Sequence, residues 1–124
     1  MTTLAWIAAV LAVAFHLLAF YMESLGWMTP RVQRVFRQTP EHAQVTRLLA
    51  FNQGFYNLFL ALELIAGWVL MRNGHASAGI AIASWACLSM AGAALVLLAS
   101  SPKMIRGAVL QGVPPIVFLV AAWS

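Results

Sequence analysis

Charged residues are scarce in this chain, and this scarcity decides the class of protein. They make up 8% of the 124 residues, whereas hydrophobic residues make up 63% and the mean hydropathy is +0.87. A soluble domain carries about 25% charged residues, so a soluble fold is not expected. Four apolar stretches reach the roughly 20 residues that cross a hydrocarbon core of about 30 Å: residues 4–25, 48–71, 77–99 and 104–123. The sequence predicts an all-α polytopic membrane protein, a four-transmembrane-helix bundle that forms a single domain over residues 1–124.

Residues that commonly hold metals, cofactors or phosphates do not form recognisable patterns. The one cysteine, Cys87, cannot form an intrachain disulfide. There is no Cys/His cluster for zinc, no glycine-rich phosphate loop and no Ser/His/Asp set at a known spacing. His16 in the first span and His75 in the second loop share no layer, which argues against a haem. We therefore expect no metal and no cofactor.

The few cations are concentrated on one side of the predicted topology. Lys103 and Arg106 follow the third span, whereas the loop after the second span contains only Arg72. Loops rich in Lys and Arg stay in the cytoplasm, so we expect the first and third loops inside the cell and both termini outside, across the cell inner membrane. Loop charge then reports topology, and no nucleic-acid partner is expected. The cations of the first loop are Arg31, Arg34, Arg37 and Arg47.

The first loop has its own helical pattern. Thr29-Pro30 is typical of a capping residue followed by proline in the first helical turn, and Val32, Val35 and Phe36 then share one face. The pattern predicts a short amphipathic helix on the cytoplasmic membrane surface, with basic side chains on anionic lipid headgroups. These side chains are Arg31, Arg34 and Arg37.

The second span is unusually polar for a membrane helix. Asn52, Tyr56 and Glu63 lie within about 40° of one another on a helical wheel, and Gln53 and Asn57 form a second ridge about 100° away. Polar residues inside a membrane normally face the bundle interior and mark a functional site. Because one neighbouring helix cannot cover so wide an arc, we expect this span to be the central helix of the bundle.

The first and fourth spans add polar groups at matching depths. His16 and Glu23 are seven residues apart, which at 100° per residue places them on one face of the first span. Gln111 precedes Pro114-Pro115 in the fourth span, at about the depth of Gln53. Together these groups predict a polar pocket within the membrane. Its expected residues are His16, Glu23, Asn52, Gln53, Tyr56, Asn57 and Gln111, with Glu63 as a secondary candidate.

These motifs follow one another over nearly the whole chain. His16 and Glu23 are followed by Trp27 and Thr29-Pro30, then by Asn52-Gln53-Gly54-Phe55-Tyr56-Asn57 and by Gln111-Gly112-Val113-Pro114. In them the chain resembles the small bacterial integral membrane proteins of the family named domain of unknown function 1304. The resemblance implies a four-helix integral membrane protein and brings no established activity. Glu63 departs from it, since typical members carry a small residue there.

The pocket allows functions of three classes. We expect that it binds or transports a small organic molecule, amphipathic or cationic, with Glu23 as counter-charge, His16 tuning its protonation and the amides orienting the ligand. A membrane-embedded acid/base enzyme, isomerase-like, would instead exchange protons between His16 and Glu23 while Tyr56 or Asn57 polarises an oxygen. An accessory subunit of a membrane complex would use the polar groups only to fix helix register. The strong charge bias argues against dual topology and leaves open a parallel homodimer.

Overall fold

The computed structural model describes all 124 residues, and it is helical apart from short connections. Four of its helical segments are long and apolar enough to cross a membrane. They confirm the predicted all-α fold class, and their bounds lie within a few residues of the predicted ones except that the second begins earlier. The helices are α1 Thr3–Phe20, extended by a π-helical turn Tyr21–Leu25, α2 Pro30–Val35, α3 Pro40–Arg72, α4 Ala76–Ser100, and α5 Ile105–Trp123, preceded by a 3-10 turn Pro102–Met104.

Threonine caps begin α1, α2 and α3. The hydroxyl oxygens of Thr2, Thr29 and Thr39 each accept a hydrogen bond from the backbone N–H three residues further on. After Thr29 and Thr39 comes a proline, whose missing N–H costs nothing in a first turn. The predicted helix start at Thr29-Pro30 is therefore confirmed, Thr39-Pro40 begins α3 in the same way, and α3 runs without a break from Pro40 to Arg72.

The four long helices form a closed ring, with no helix at its centre. Helix α1 packs against α3 and α5, and α4 packs against the same two helices from the other side. Each helix therefore has two neighbours and one outward face. The second span packs on the first span at one side and on α4 at the other, as predicted, but it is one of four equivalent members of the ring and not its centre. Asn52, Gln53 and Tyr56 of α3 are exposed. An interior face in a ring of four is narrower than the polar arc of α3, so part of that arc faces outward.

The two ends of the bundle differ in charge. We call the end with both termini the terminal end, and the end with the α1–α3 loop and the α4–α5 turn the basic end. Arg72, where α3 finishes, is the cation of the terminal end. Six of the seven Lys and Arg residues belong to the basic end: Arg31, Arg34, Arg37, Arg47, Lys103 and Arg106.

The main apolar core fills the half of the bundle nearer the terminal end. It is built largely of small side chains, which let membrane helices approach closely where the surrounding lipid gives no hydrophobic drive for association. On α1 it ends at Ala12, and on α4 at Met90. Its buried residues are Ala5, Ala8, Ala9, Ala12, Leu64, Ala83, Ala86, Cys87, Met90 and Phe118.

A second, smaller cluster attaches the first loop to α3. Trp27 packs on Phe36 with ring centroids 4.9 Å apart, and its indole N–H donates a hydrogen bond to the Ala43 carbonyl at 3.0 Å. Val32 is buried in the same cluster, whereas Val35 is exposed. The predicted short amphipathic helix is present as α2, but it buries Val32 against the protein, and the predicted common apolar face of Val32, Val35 and Phe36 is split.

Glycine backbones set the contact between α3 and α4. A Cβ added at Gly79 would lie 2.5 Å from the Gly67 carbonyl oxygen and 2.7 Å from the Met71 nitrogen, and one at Gly67 would lie 2.7 Å from the Gly79 carbonyl oxygen. These contacts are with backbone, which cannot move aside as a side chain can. The row of small residues in α4, from Gly79 through Ala83 and Cys87 to Ala91, is buried, as its spacing predicts.

The Gly79→Ala variant tests this contact. We expect it to destabilise the bundle by about 1–3 kcal/mol, because the new methyl group forces α3 and α4 apart. Gly92 of the same helix has open space around its Cα, so Gly92→Ala serves as the matched control and should leave stability unchanged or raise it by up to about 1 kcal/mol. Thermal unfolding in detergent, followed by tryptophan fluorescence, measures both. Equal unfolding midpoints for the two variants would contradict the close-contact explanation.

Candidate functional site

Helix α1 does not end as a regular α-helix. Its last turn, Tyr21–Leu25, is π-helical, and the Gly26 N–H donates to the Tyr21 carbonyl at 2.8 Å, five residues back. The additional residue in this turn changes the direction of the side chains that follow, so the rotation of 100° per residue that places His16 and Glu23 on one face does not hold here. Single π-helical turns are frequent at functional sites, and this one carries Glu23.

Glu23 is joined to α3 by a short hydrogen bond. The Asn57 side-chain amide donates to Glu23 Oε1 at 2.6 Å, and Asn57 is 6% exposed. The same amide group also lies 3.3 Å from the Gln53 carbonyl oxygen of its own helix. Hydrogen bonds to an ionised acceptor are shorter and stronger than neutral ones. Asn57 is the one side chain that hydrogen-bonds Glu23, and no arginine, lysine or histidine forms an ion pair with it.

Gly54 explains how α1 comes close enough for this bond. A Cβ at Gly54 would collide with the Ser24 side chain and would lie 2.9 Å from the Ser24 nitrogen and 3.0 Å from the Phe20 carbonyl oxygen. The Ser24 hydroxyl donates to the Phe51 carbonyl at 2.7 Å, which fastens the π-helical turn to α3 on the other side of Gly54. Ser24 is a residue of the candidate site that the sequence did not single out, and its place directly after Glu23 was the only available signal.

His16 is fully buried and only half satisfied. Its Nδ1 donates to the Ala12 carbonyl at 2.8 Å, since a carbonyl can only accept, and Nε2 is left as an acceptor with no partner. An unpaired buried polar atom costs about 1–3 kcal/mol. His16 lies one helical turn from Ala12, the last α1 residue of the main core. His16 Nε2 is therefore an unpaired acceptor at the edge of the main core.

The remaining predicted site residues differ in how exposed they are and do not all face the same way. Gln53 is exposed one helical turn from Asn57, and Gln111 is half-buried on α5, which lies across the ring from α3. Asn52 is exposed and donates to the Leu48 carbonyl of its own helix at 2.9 Å. The structure thus brings Glu23 and Asn57 into contact and leaves part of the predicted set facing outward. The exposed members are Asn52, Gln53, Tyr56 and Glu63.

Two close helix contacts lie near the basic end. Helices α1 and α3 meet through Phe20 and Phe55, whose ring centroids are 5.1 Å apart. Helices α4 and α5 meet where a Cβ at Gly112 would lie 2.8 Å from the Ala94 Cβ. No residue of the main core lies at this level. Glu23 therefore lies in the half of the bundle outside the main core, where the buried apolar side chains are small ones such as Ala19, Ala94 and Ala108.

The site contains no arrangement for a metal ion. No group of three or more His, Cys or acidic side chains is close enough to bind one. Cys87 is buried within the main core, away from Glu23. The chemistry that these residues offer is hydrogen bonding, charge and proton transfer.

Replacing Asn57 measures the bond to Glu23. We expect Asn57→Ala to destabilise the protein by about 1–3 kcal/mol, because it leaves a carboxylate without a donor in a low-dielectric surrounding. Gln53→Ala, one turn away and with no side-chain hydrogen bond to lose, should change stability much less. In a Glu23→Gln background the cost of Asn57→Ala should fall, since the partner is then neutral. Thermal unfolding of the four proteins forms a double-mutant cycle, and a coupling of zero would show that the bond does not stabilise the fold.

Comparison with known proteins gives a family. No curated protein and no solved structure matches this chain. The family model described as Protein of unknown function (DUF1304) matches residues 10–123, which include Glu23, Gly54 and Asn57. The family is the one that the motifs resemble, and the match covers nearly the whole chain. The protein therefore belongs to the DUF1304 family of proteins of unknown function.

Proposed function

We propose that this protein binds a small organic molecule, cationic or amphipathic, at Glu23 and carries it across the membrane. The observation that supports this function is the Glu23 carboxylate, held by Asn57 at 2.6 Å in a π-helical turn and paired with no cation of the chain. A charge within a membrane segment normally has a partner of opposite sign. A bound cation would be that partner.

The free polar atoms of the site determine the chemistry of the ligand. Glu23 Oε2 and His16 Nε2 are acceptors that no group of the chain satisfies. A ligand that completes the site must therefore supply donors, as an ammonium or another N–H group does. An anion or a purely apolar molecule would leave both acceptors unpaired.

Access is from the basic end, on this proposal. The main core closes the terminal half and does not extend to the basic end. Gln53 of α3 and Gln111 of α5 are polar and at least partly accessible. They would orient a ligand between Glu23 and the opening. Asn52 and Tyr56 face outward and take no part in this narrower site.

The Glu23→Gln variant tests the ligand site. We expect hexylammonium, a cation with N–H donors, to bind the purified wild-type protein, seen as added mass in native mass spectrometry and as a raised unfolding midpoint. Glu23→Gln should lose both effects, because it removes the counter-charge and keeps the side-chain size. Glu41→Gln, which removes an exposed carboxylate at the start of α3, is the matched control and should bind as the wild type does. Binding by Glu23→Gln equal to the wild type would contradict the proposal.

An acid/base enzyme is the second candidate, and the unpartnered Nε2 of His16 favours it. A basic nitrogen free to take a proton, in the same helix as a carboxyl group, is what proton transfer on a lipid-soluble substrate requires. Reconstituted vesicles separate the two functions. A transporter moves the bound cation across the bilayer, whereas an isomerase converts its substrate with no net movement of solute.

We propose further that the protein lies in the cell inner membrane with the basic end in the cytoplasm. Six of its seven cations belong to that end, and Arg31, Arg34 and Arg37 are exposed there, where anionic headgroups would pair with them. Both termini then lie outside.

Reporter fusions test this orientation. Alkaline phosphatase fused after Ser124 should be active, since it folds outside the cytoplasm, and green fluorescent protein at the same position should be dark. The opposite pair of results would reverse the topology. A fusion within the loop between α2 and α3, near Gln38, is the internal control and should give the reverse pattern.

A further inference from the structure

Six exposed positions of α3 recur at alternating spacings of three and four residues. This is the spacing of a helix-packing seam, and over these residues it extends about 25 Å. We call these residues the α3 seam. They are Leu49, Asn52, Tyr56, Phe59, Glu63 and Ala66.

The α3 seam is too polar to face lipid. Tyr56 is 65% exposed, and neither its hydroxyl group nor the Glu63 carboxyl group hydrogen-bonds any other part of the chain. Asn52 uses its amide only on its own helix, at the Leu48 carbonyl. Each such group is costly in hydrocarbon, and polar residues in membrane helices almost always face another helix or a water-filled cavity.

The rest of the outward surface of α3 shows the contrast. Leu48, Phe51 and Leu62 are exposed beside the seam and are all apolar, as a lipid-facing surface requires. The exposed polar residues in this part of the helix are Asn52, Gln53, Tyr56 and Glu63, and three of these four belong to the seam. Most of the polarity on the exposed face of α3 therefore belongs to one stripe, with Gln53 outside it.

We propose that the α3 seam is the interface of a parallel homodimer. The charge difference between the two ends inserts every copy in the same direction, so a twofold axis must run along the membrane normal. Across such an axis the two α3 helices are parallel and each seam residue meets its own counterpart. The partner is a second copy of this chain, and the interface is independent of the ligand site at Glu23.

The polar residues of the seam can each pair with themselves. An asparagine amide and a tyrosine hydroxyl group both donate and accept, so Asn52 and Tyr56 can each hydrogen-bond their counterparts. Two Glu63 side chains can pair when one is a carboxylic acid and donates to the carboxylate of the other. Hydrocarbon tails offer no such partners, which is why such groups hold membrane helices together.

The surface beside Glu63 has room for a partner's side chains. A depression of about 430 Å³ lies between α3 and α4, lined by Glu63, Ala81, Ile82 and Trp85. Trp85 is 68% exposed on α4. Bulky side chains of the second copy can enter this depression, and Trp85 then becomes part of the interface.

Disulfide cross-linking in membranes tests the dimer with closely matched controls. The full-length chain with Cys87→Ala, which removes the native thiol, receives one new cysteine at a time. Leu49 and Leu48 are adjacent and both 73% exposed, and Phe59 and Leu62 are 51% and 48% exposed, yet only Leu49 and Phe59 belong to the seam. Under copper–phenanthroline oxidation, Leu49→Cys and Phe59→Cys should form cross-linked dimers, whereas Leu48→Cys and Leu62→Cys should not.

Three outcomes would overturn the proposal: no dimers at the seam positions, equal cross-linking at the control positions, or cross-linking of the seam to a protein of another mass. A second measurement concerns affinity. Light scattering during dilution in detergent gives the dimer dissociation constant, which Asn52→Leu should raise about threefold to thirtyfold because it removes a buried polar pair. Gln53→Leu, outside the seam, should not raise it. A dissociation constant unchanged by Asn52→Leu would also overturn the proposal.

Discussion

The hydrogen bond between Asn57 and Glu23 is the interaction on which the half of the bundle nearer the basic end depends. A carboxylate within a membrane segment must have a donor, and here the donor comes from the neighbouring helix at 2.6 Å. That distance requires α1 and α3 to touch, which Gly54 permits by having no side chain. It also requires Glu23 to point at α3, which the π-helical turn achieves. The glycine at position 54 and the π-helical turn therefore both contribute to the Asn57–Glu23 hydrogen bond.

That contact lies outside the main apolar core, so the two halves of the bundle differ in chemistry. Small side chains close the terminal half by direct packing, so no polar group is needed there. At the level of His16 the core stops, and acceptors without partners in the chain begin. Under the proposed function, the packed half would fix the helices while the ligand binds in the other half.

Much of this was predictable from the sequence for simple physical reasons. Span lengths follow from the thickness of the hydrocarbon core. Thr29 and Thr39 mark the starts of α2 and α3, because a threonine hydroxyl caps a helix and the proline after it fits the first turn. The importance of Asn57 follows from the cost of an amide in lipid.

What could not be predicted is the direction in which a polar residue faces. In a soluble helix the apolar face marks the interior, but lipid and core are both apolar here, so Tyr56 and Asn57 look alike in sequence although one is exposed and the other buried. The π-helical turn was equally hidden, since the fit of Ser24 around Gly54 is a tertiary contact.

Helix α3 has 33 residues and is therefore about 50 Å long, well beyond the roughly 30 Å of hydrocarbon. With the basic end in the cytoplasm, as proposed above, its first turns, where Trp27 and Val32 pack beside Ala43, would stand in or near water and its later turns in lipid. One rigid rod thus connects two clusters that are stabilised by different means: exclusion of water around Trp27, and close van der Waals contact around Gly67. Urea weakens the first kind of stabilisation and has little access to the second. Mild denaturant should therefore release the loop from α3 while the membrane bundle stays assembled, so that the chain melts in two stages joined by a single helix.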